Sequence, residues 1–341
     1  MWFNQKKSNE QDNPKALLDE LVSNGIELTI EELIRYQTKS SLINLAASKS
    51  LHGKMSGNYL ARSKGRGMEF DEVRHYQNGD DIRAIDWRVT ARTGKTHTKL
   101  FREEVERPVL IATDLSASMF FGTRLLFKSV QAAHVASLVA WHAKSRGDRI
   151  GGVVFNQHSH TELKPRSRQQ GVLHYLHALV KSHADSLNMT NESLERIQAT
   201  VAFEQNCARL RQLAKPGSLV YLITDAFNLT DEAVRHLANI SRHCELVVCL
   251  ISDPLEQQLP DSKQKISVAI TNGETNDGND DNRQQLILGD KALAEKYHQQ
   301  AMNLNDIMEQ KLTKAGARLL HFCASEALET QLHRGVASWI R

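Results

Sequence analysis

Val109-Leu110-Ile111-Ala112-Thr113-Asp114-Leu115-Ser116-Ala117-Ser118 is the stretch that decides how this chain is read. Its first half is a short apolar run, the signature of a strand buried on both faces. Its second half sets a carboxylate and two hydroxyls at alternate positions, Asp114-x-Ser116-x-Ser118, where that strand should end. Hard oxygen donors at this spacing suit a Mg²⁺-type ion, which takes oxygen ligands in near-octahedral geometry and keeps positions open for others. Asp and Ser are common, so the motif draws its weight from its placement. An apolar strand precedes it, and Gly122 and a long helical pattern follow it.

Outward from this stretch the chain alternates between strand and helix. Strand 109–113 is followed by a helix over 125–146, with Val130, Ala133, Ser137, Leu138 and Trp141 on one side. Gly147-Asp148 turns into a strand at 149–155. Helices are expected at 171–183 and 203–214. Pro216-Gly217 separates the second of these from a strand at 219–224, which ends on Asp225. A helix at 231–242, a strand at 246–251, a helix at 293–315, a strand at 318–322 and a closing helix at 328–340 complete the pattern. Such alternation argues for an α/β fold with a doubly wound, mostly parallel sheet and helices on both faces. Between 253 and 290, two strand-like runs (267–270 and 285–288) flank an Asn/Asp/Gly loop at 272–282. A calcium loop fails there: with Gly278 as the turn glycine, Gly273 would hold the first ligand position. A hairpin insertion is expected instead.

Upstream of the alternating region the chain divides differently. Pro14 opens a helix through Leu17, Leu18, Leu21 and Val22, closed by Gly25. Thr29-Ile30-Glu31-Glu32 reads as a capping box for a helix carrying Leu33, Tyr36, Leu42 and Leu45. The stretch 49–66 is basic and glycine-punctuated, with Lys49, Lys54, Arg62, Lys64 and Arg66 and no acid. Residues 69–106 read as β-hairpin material, with Asn78-Gly79 and Gly94 as turns and an extended run at 95–101. The expected organisation is an N-terminal helical segment at 1–50, a β-rich region at 51–106 and the α/β domain at 107–341.

Composition narrows the function classes. The chain has 341 residues, 40% apolar and 24% charged, with net charge +3. This is ordinary globular composition, and the near-neutral balance names no partner. No segment approaches the ~18 apolar residues of a membrane helix. The start, Met1-Trp2-Phe3-Asn4-Gln5-Lys6-Lys7, lacks the apolar core of a secretory signal. Four cysteines, Cys207, Cys244, Cys249 and Cys323, form no Cys-x-x-Cys pair, which fits reduced thiols and a cytoplasmic location. Phosphate-loop, Gly-x-Ser-x-Gly and His-Glu-x-x-His motifs are absent from the sequence. His174 and His177 lie three apart on an expected helix and read as surface residues. An enzyme reading would make Asp114 a phosphoryl-accepting nucleophile. Position 116 is Ser, so the second carboxylate of a two-Asp loop is missing. Metal-dependent phosphoester hydrolysis is one alternative function. Binding of an anionic polymer through 49–66 is another, but that stretch offers only Tyr59 for stacking, so no nucleic acid is expected.

In doubly wound sheets ligands bind beyond the carboxyl ends of the strands. Asp225 ends its own strand as Asp114 does, so two strands would present carboxylates to one crevice, with Ser116 and Ser118 beside them. This arrangement resembles the metal-ion-dependent adhesion site of von Willebrand factor A-type domains. The resemblance implies that the two serines and a threonine from a second loop bind the ion. The acids act directly or through water, and a partner protein's carboxylate fills the remaining position. Carried over, the metal ligands are Asp114, Ser116, Ser118 and Asp225. The threonine is Thr200, ahead of the helix at 203–214, with Thr190 as the other candidate. The ion implied is Mg²⁺ or Mn²⁺.

The upstream segment narrows the resemblance. Gly65-Arg66-Gly67-Met68-Glu69-Phe70, then Arg74-His75-Tyr76-Gln77-Asn78-Gly79-Asp80-Asp81-Ile82-Arg83-Ala84-Ile85-Asp86-Trp87, then Ala91-Arg92, is similar to the signature block of the domain-of-unknown-function 58 family. The resemblance implies a von Willebrand A-like domain after the block. It also implies a MoxR-type AAA+ ATPase as partner, with other von Willebrand A-type proteins as further partners. Many members carry N-terminal membrane helices; this chain reads as a cytosolic member without direct membrane insertion. Arg74, Tyr76, Gly79, Asp80, Asp81, Arg83, Asp86, Trp87 and Arg92 are expected to build an ion-paired structural unit, with Trp87 as a core anchor. The expected function is a non-catalytic, metal-dependent protein–protein interaction module, an adaptor or scaffold in assembly or stress response.

Overall fold

The computed structural model describes residues 14–42, 68–103, 107–189, 196–260, 266–271 and 283–335. In chain order the elements are α1 (Pro14–Leu21), α2 (Ile30–Ile34), β1 (Met68–His75), α3 (Trp87–Thr93), β2 (His97–Glu103) and β3 (Pro108–Asp114). There follow α4 (Lys128–Ser145), β4 (Arg149–Phe155), β5 (His160–Arg166), α5 (Arg168–Met189), α6 (Arg196–Leu213) and β6 (Leu219–Thr224). The last are α7 (Asp231–Ser241), β7 (Glu245–Ser252), α8 (Pro254–Gln257), β8 (Ile266–Thr271), β9 (Arg283–Leu288), α9 (Lys291–Lys314), β10 (Arg318–Cys323) and α10 (Leu328–Gly335). The chain forms two compact units, one of Met1–Lys49 with Arg107–Arg341 and one of Ser50–Glu106. The N-terminal segment therefore groups with the α/β unit rather than standing by itself. The basic stretch 49–66, the loop 272–282, Thr190 and residues 104–106 lie outside the described residues.

The larger unit is built on a six-stranded sheet in the order β10-β7-β6-β3-β4-β5. Neighbours are parallel except β5, which runs antiparallel to β4 at the edge. This is the doubly wound α/β architecture expected from the alternating pattern. The central strands are apolar along their middles because each faces a helical layer on both sides. Val109 and Ile111 of β3 join one core with Tyr221, Ile223, Val247 and Cys249, under α4 and α5. Leu110 and Ala112 join the other with Val220, Leu222, Leu246 and Val248, under α6 and α7. The pleat sends successive side chains to opposite layers. The hairpin insertion is present as β8 and β9, paired antiparallel.

Helix α4 is buried almost all round, because the N-terminal arm covers the side that the sheet does not. Thr29 and Glu32 form the expected capping box on α2. Glu32 Oε1 also lies 2.6 Å from His134 Nε2 of α4, both side chains being fully buried. Ser137 Oγ and Trp141 Nε1 donate to the Leu33 carbonyl at 2.6 and 3.1 Å. These bonds satisfy polar groups that burial would otherwise penalise by about 1–3 kcal/mol each.

The smaller unit departs from a simple hairpin. β1 and β2 pair antiparallel, but the segment between them contains α3. The local signals account for it. Asp86 caps the helix by accepting from the Arg88 and Val89 amides, and Gly94 closes it with φ +71°, a left-handed conformation that glycine adopts without cost. Arg74 pairs with Asp80 at 2.7 Å and Lys99 with Asp86 at 3.7 Å. Asp80 also accepts from the Gln77 amide, and the Tyr76 hydroxyl donates to the Asp80 carbonyl. Asp81 caps a short turn through the Arg83 amide, and Gly79 sits in the preceding turn with φ +108°. Arg83, Arg88 and Arg92 are exposed. The expectation that Trp87 anchors a core is overturned: it opens α3 and is 67% exposed.

Gly152 lies opposite Ile111 in the β3–β4 ladder. Its φ is +149°, and a Cβ built there would sit 1.9 Å from the Ile111 carbonyl oxygen. Gly152→Ala is therefore expected to push the central strands apart and cost about 3 kcal/mol or more in urea unfolding. A loss below about 1 kcal/mol would show that the ladder can yield at this point.

Candidate functional site

The strand order brings the two acids together. β3 pairs with β6 in parallel, with Thr113 opposite Ile223, so Asp114 and the pair Thr224-Asp225 leave neighbouring carboxyl ends. From β3 the chain passes to α4 on one face; from β6 it passes to α7 on the other. That divergence opens a crevice at the switch point of the sheet.

Asp114 is completely buried. Its Oδ1 accepts from the Ser116 amide at 2.9 Å, and its Oδ2 accepts from the Thr224 hydroxyl at 2.8 Å. Ser116 Oγ and Ser118 Oγ are 3.4 Å apart, and Asn228 Nδ2 reaches Ser116 Oγ at 3.5 Å. The loop that carries the serines is held from β4 and the turn after it. The Leu115 amide donates to the Phe155 carbonyl, and the Ala117 amide to Gln157 Oε1. Asp225 folds its turn by accepting from the Phe227 amide at 3.1 Å. Between them Ala226 adopts φ +60°, a conformation that costs a non-glycine residue on the order of 1 kcal/mol.

Beyond Thr224 and Asn228, sequence reasoning missed the two charged members of this crevice that face Asp225. Lys128, the first residue of α4, has no exposed side chain; its Nζ donates to Asp225 Oδ2 at 2.8 Å and to Glu256 Oε1 at 2.5 Å. Glu256 arrives from α8, which Asp253 and Glu256 start with a capping box. The one available signal was a single charged residue in the run from Leu125 to Ala133. The threonine expected ahead of a helix is corrected. Thr200 lies inside α6, which begins at Arg196 rather than at 203.

Burial, and then the negative charge of Asp225, push the Asp114 carboxyl up to about 6. Burial likewise raises Glu256, against the pull of Lys128. Burial pulls Lys128 down, but the charges of Asp225 and Glu256 outweigh it, and the net shift is upward. Two carboxylates that repel across a buried gap, with serine hydroxyls beside one of them, are a donor set that fits a hard divalent cation. Asp114, Ser116, Ser118 and Asp225 are the residues that would hold it. Among the described residues no group of three or more His, Cys, Asp or Glu is arranged around a metal position.

The Asp114 shift has a sign. Its folded pKa lies above the 3.8 of the free group, so its protonation favours the fold below about pH 4, and that contribution fades as pH rises through about 6. In EDTA, Asp114→Asn is expected to lack this decline and to be more stable than the wild type at pH 7.5 by about 2 kcal/mol. Urea unfolding at several pH values between 4 and 7.5 reads it. Parallel curves for the two proteins would contradict it.

Comparisons with known proteins place the chain in a family. The family model described as "Protein of unknown function DUF58" matches residues 72–303. An uncharacterised protein of Mycobacterium bovis, Mb1516, is 27% identical over 221 residues, covering 64% of this chain and 66% of that protein, just under two thirds of its length. Among solved structures, a conserved hypothetical protein, BatB from Bacteroides thetaiotaomicron, has a TM-score of 0.42 at 16% identity, covering 68% of this chain and 98% of that one. A von Willebrand factor type A structure from Catenulispora acidiphila has a TM-score of 0.29 at 15% identity, covering 46% of this chain and 35% of that one. Among the described residues no helix is long and apolar enough to cross a membrane. With well over half of its length inside that match, this chain belongs to the DUF58 family of proteins of unknown function.

Proposed function

We propose that this chain is a non-catalytic protein-interaction module whose crevice holds Mg²⁺ or Mn²⁺ and offers it to a carboxylate of a partner. The observation that carries the reading is the meeting of Asp114 and Asp225 at adjacent strand ends, with Ser116 and Ser118 on the loop between strand and helix. Bound there, the ion would neutralise the two acids and leave a coordination position for an incoming oxygen. Aromatic surface near the site supports a protein partner. Phe227, two residues past Asp225, is 49% exposed, and Phe121, whose carbonyl accepts from the Lys128 amide, is 37% exposed. Exposed aromatics beside a polar centre are what interface hot spots are built from. The family resemblance supplies the partner proposed, a MoxR-type AAA+ ATPase, and with it a role as adaptor or scaffold in the cytoplasm.

The test is capture of that ATPase by the purified chain in Mg²⁺ and in EDTA. Capture is expected to weaken roughly tenfold or more in EDTA and in Asp114→Ala, with circular dichroism unchanged. Equal capture in all conditions would overturn the reading. Phosphoester turnover that vanishes in Asp114→Ala would install the hydrolase instead. Heparin retention that falls steeply with salt and ignores Asp114→Ala would install the anionic-polymer binder.

A further inference from the structure

Lys128 stands where a lysine is disfavoured twice. Its side chain is fully buried, which strips the ammonium of water, and it opens the 18-residue α4, where the helix dipole is positive. Position and charge are reconciled only by what surrounds it. Nζ bonds Asp225 at the end of β6 and Glu256 from the turn after β7, and it lies 5.0 Å from the centre of the Phe227 ring. Asp225 leaves the strand end next to that of Asp114, and Lys128 bridges Asp225 to Glu256, so the three acids meet in one crevice. The lysine sits at the point where a positive charge is most needed.

We propose that Lys128 is the resident cation of the crevice. Its ammonium holds Asp225 and Glu256 together before any metal arrives, so the site folds without a divalent ion. An ion entering beside Asp114 then has to compete with Lys128 for Asp225, which keeps metal affinity low in the free protein. The second half of this inference rests on the metal reading above; the first half does not.

The experiment follows the thermal midpoint and Mn²⁺ binding of four proteins: wild type, Asp114→Ala, Lys128→Met and Lys128→Met/Asp225→Asn. Wild type is expected to melt at the same temperature in EDTA and in millimolar Mg²⁺. Lys128→Met should melt roughly 5 °C or more lower in EDTA and recover in millimolar Mg²⁺ or Mn²⁺. It should also bind Mn²⁺, followed by electron paramagnetic resonance, about tenfold more tightly than wild type. The double variant, which removes one charge of each sign, should regain stability without metal. Glu256 keeps 19% of its side chain exposed and can be hydrated there.

A Lys128→Met protein as stable as wild type in EDTA would overturn the proposal. So would a double variant as unstable as the single one, because the lysine would then be acting through packing alone. If wild type binds Mn²⁺, Asp114→Ala does not, and Lys128→Met binds no tighter, the metal reading stands and this inference falls. If the double variant recovers but neither wild type nor Lys128→Met binds Mn²⁺, the resident cation stands and the metal reading falls.

Discussion

Like charges held close in a dry place are the constraint around which this protein is arranged. Burial and the nearby charge of Asp225 both disfavour the ionised form of Asp114, and the sheet offers neither acid a way out. Each terminates a strand whose side chains are locked between two helical layers. The acids are therefore held in opposition by the packing of the whole sheet, not by their own loops. The Thr224 hydroxyl and the Ser116 amide soften the conflict at Asp114, and Lys128 does so at Asp225.

A domain shaped only by stability would not keep this cluster. Replacing buried ion pairs by apolar residues of similar volume is often neutral or stabilising. The strained φ of Ala226, next to the acid, points the same way. Buried charge gathers at one end of the sheet, with the strained Ala226 beside it, while the remainder of β3, β6 and β7 obeys the ordinary rules of a buried parallel strand. That contrast singles out the crevice as the working part of the molecule.

What could be read from the sequence follows the range of the interactions. The apolar runs at 109–113, 219–224 and 246–251 are strands because local pattern and burial agree. The capping box at Thr29 and Glu32 is equally local, and it forms. Asp114 and Asp225 were legible as strand-end acids, because parallel topology dictates where such residues gather. The failures are of two kinds. At 87–93 a turn-rich segment hides a helix whose capping signals are present, Asp86 reading as part of an ion-paired unit and Gly94 as a turn. Trp87 was assigned to a core by its type, although its neighbours leave it in solvent. Lys128 and Glu256 were missed for a different reason. Lys128 meets Asp225 and Glu256 only through the fold, and a lone charge in its helix does not say which distant acids it will face.

Helix α4 carries one end of the crevice and the attachment point of the N-terminal arm. Lys128 opens it, and His134, Ser137 and Trp141 further along grip the arm. Six residues of helix separate Lys128 from His134, about 9 Å along a stiff axis. A helix packed on almost every side sits in a dense interior that passes strain on rather than absorbing it. Traction on residues 14–42 would therefore be delivered mechanically to the ammonium group at the far end, much as a handle turns a latch through its spindle.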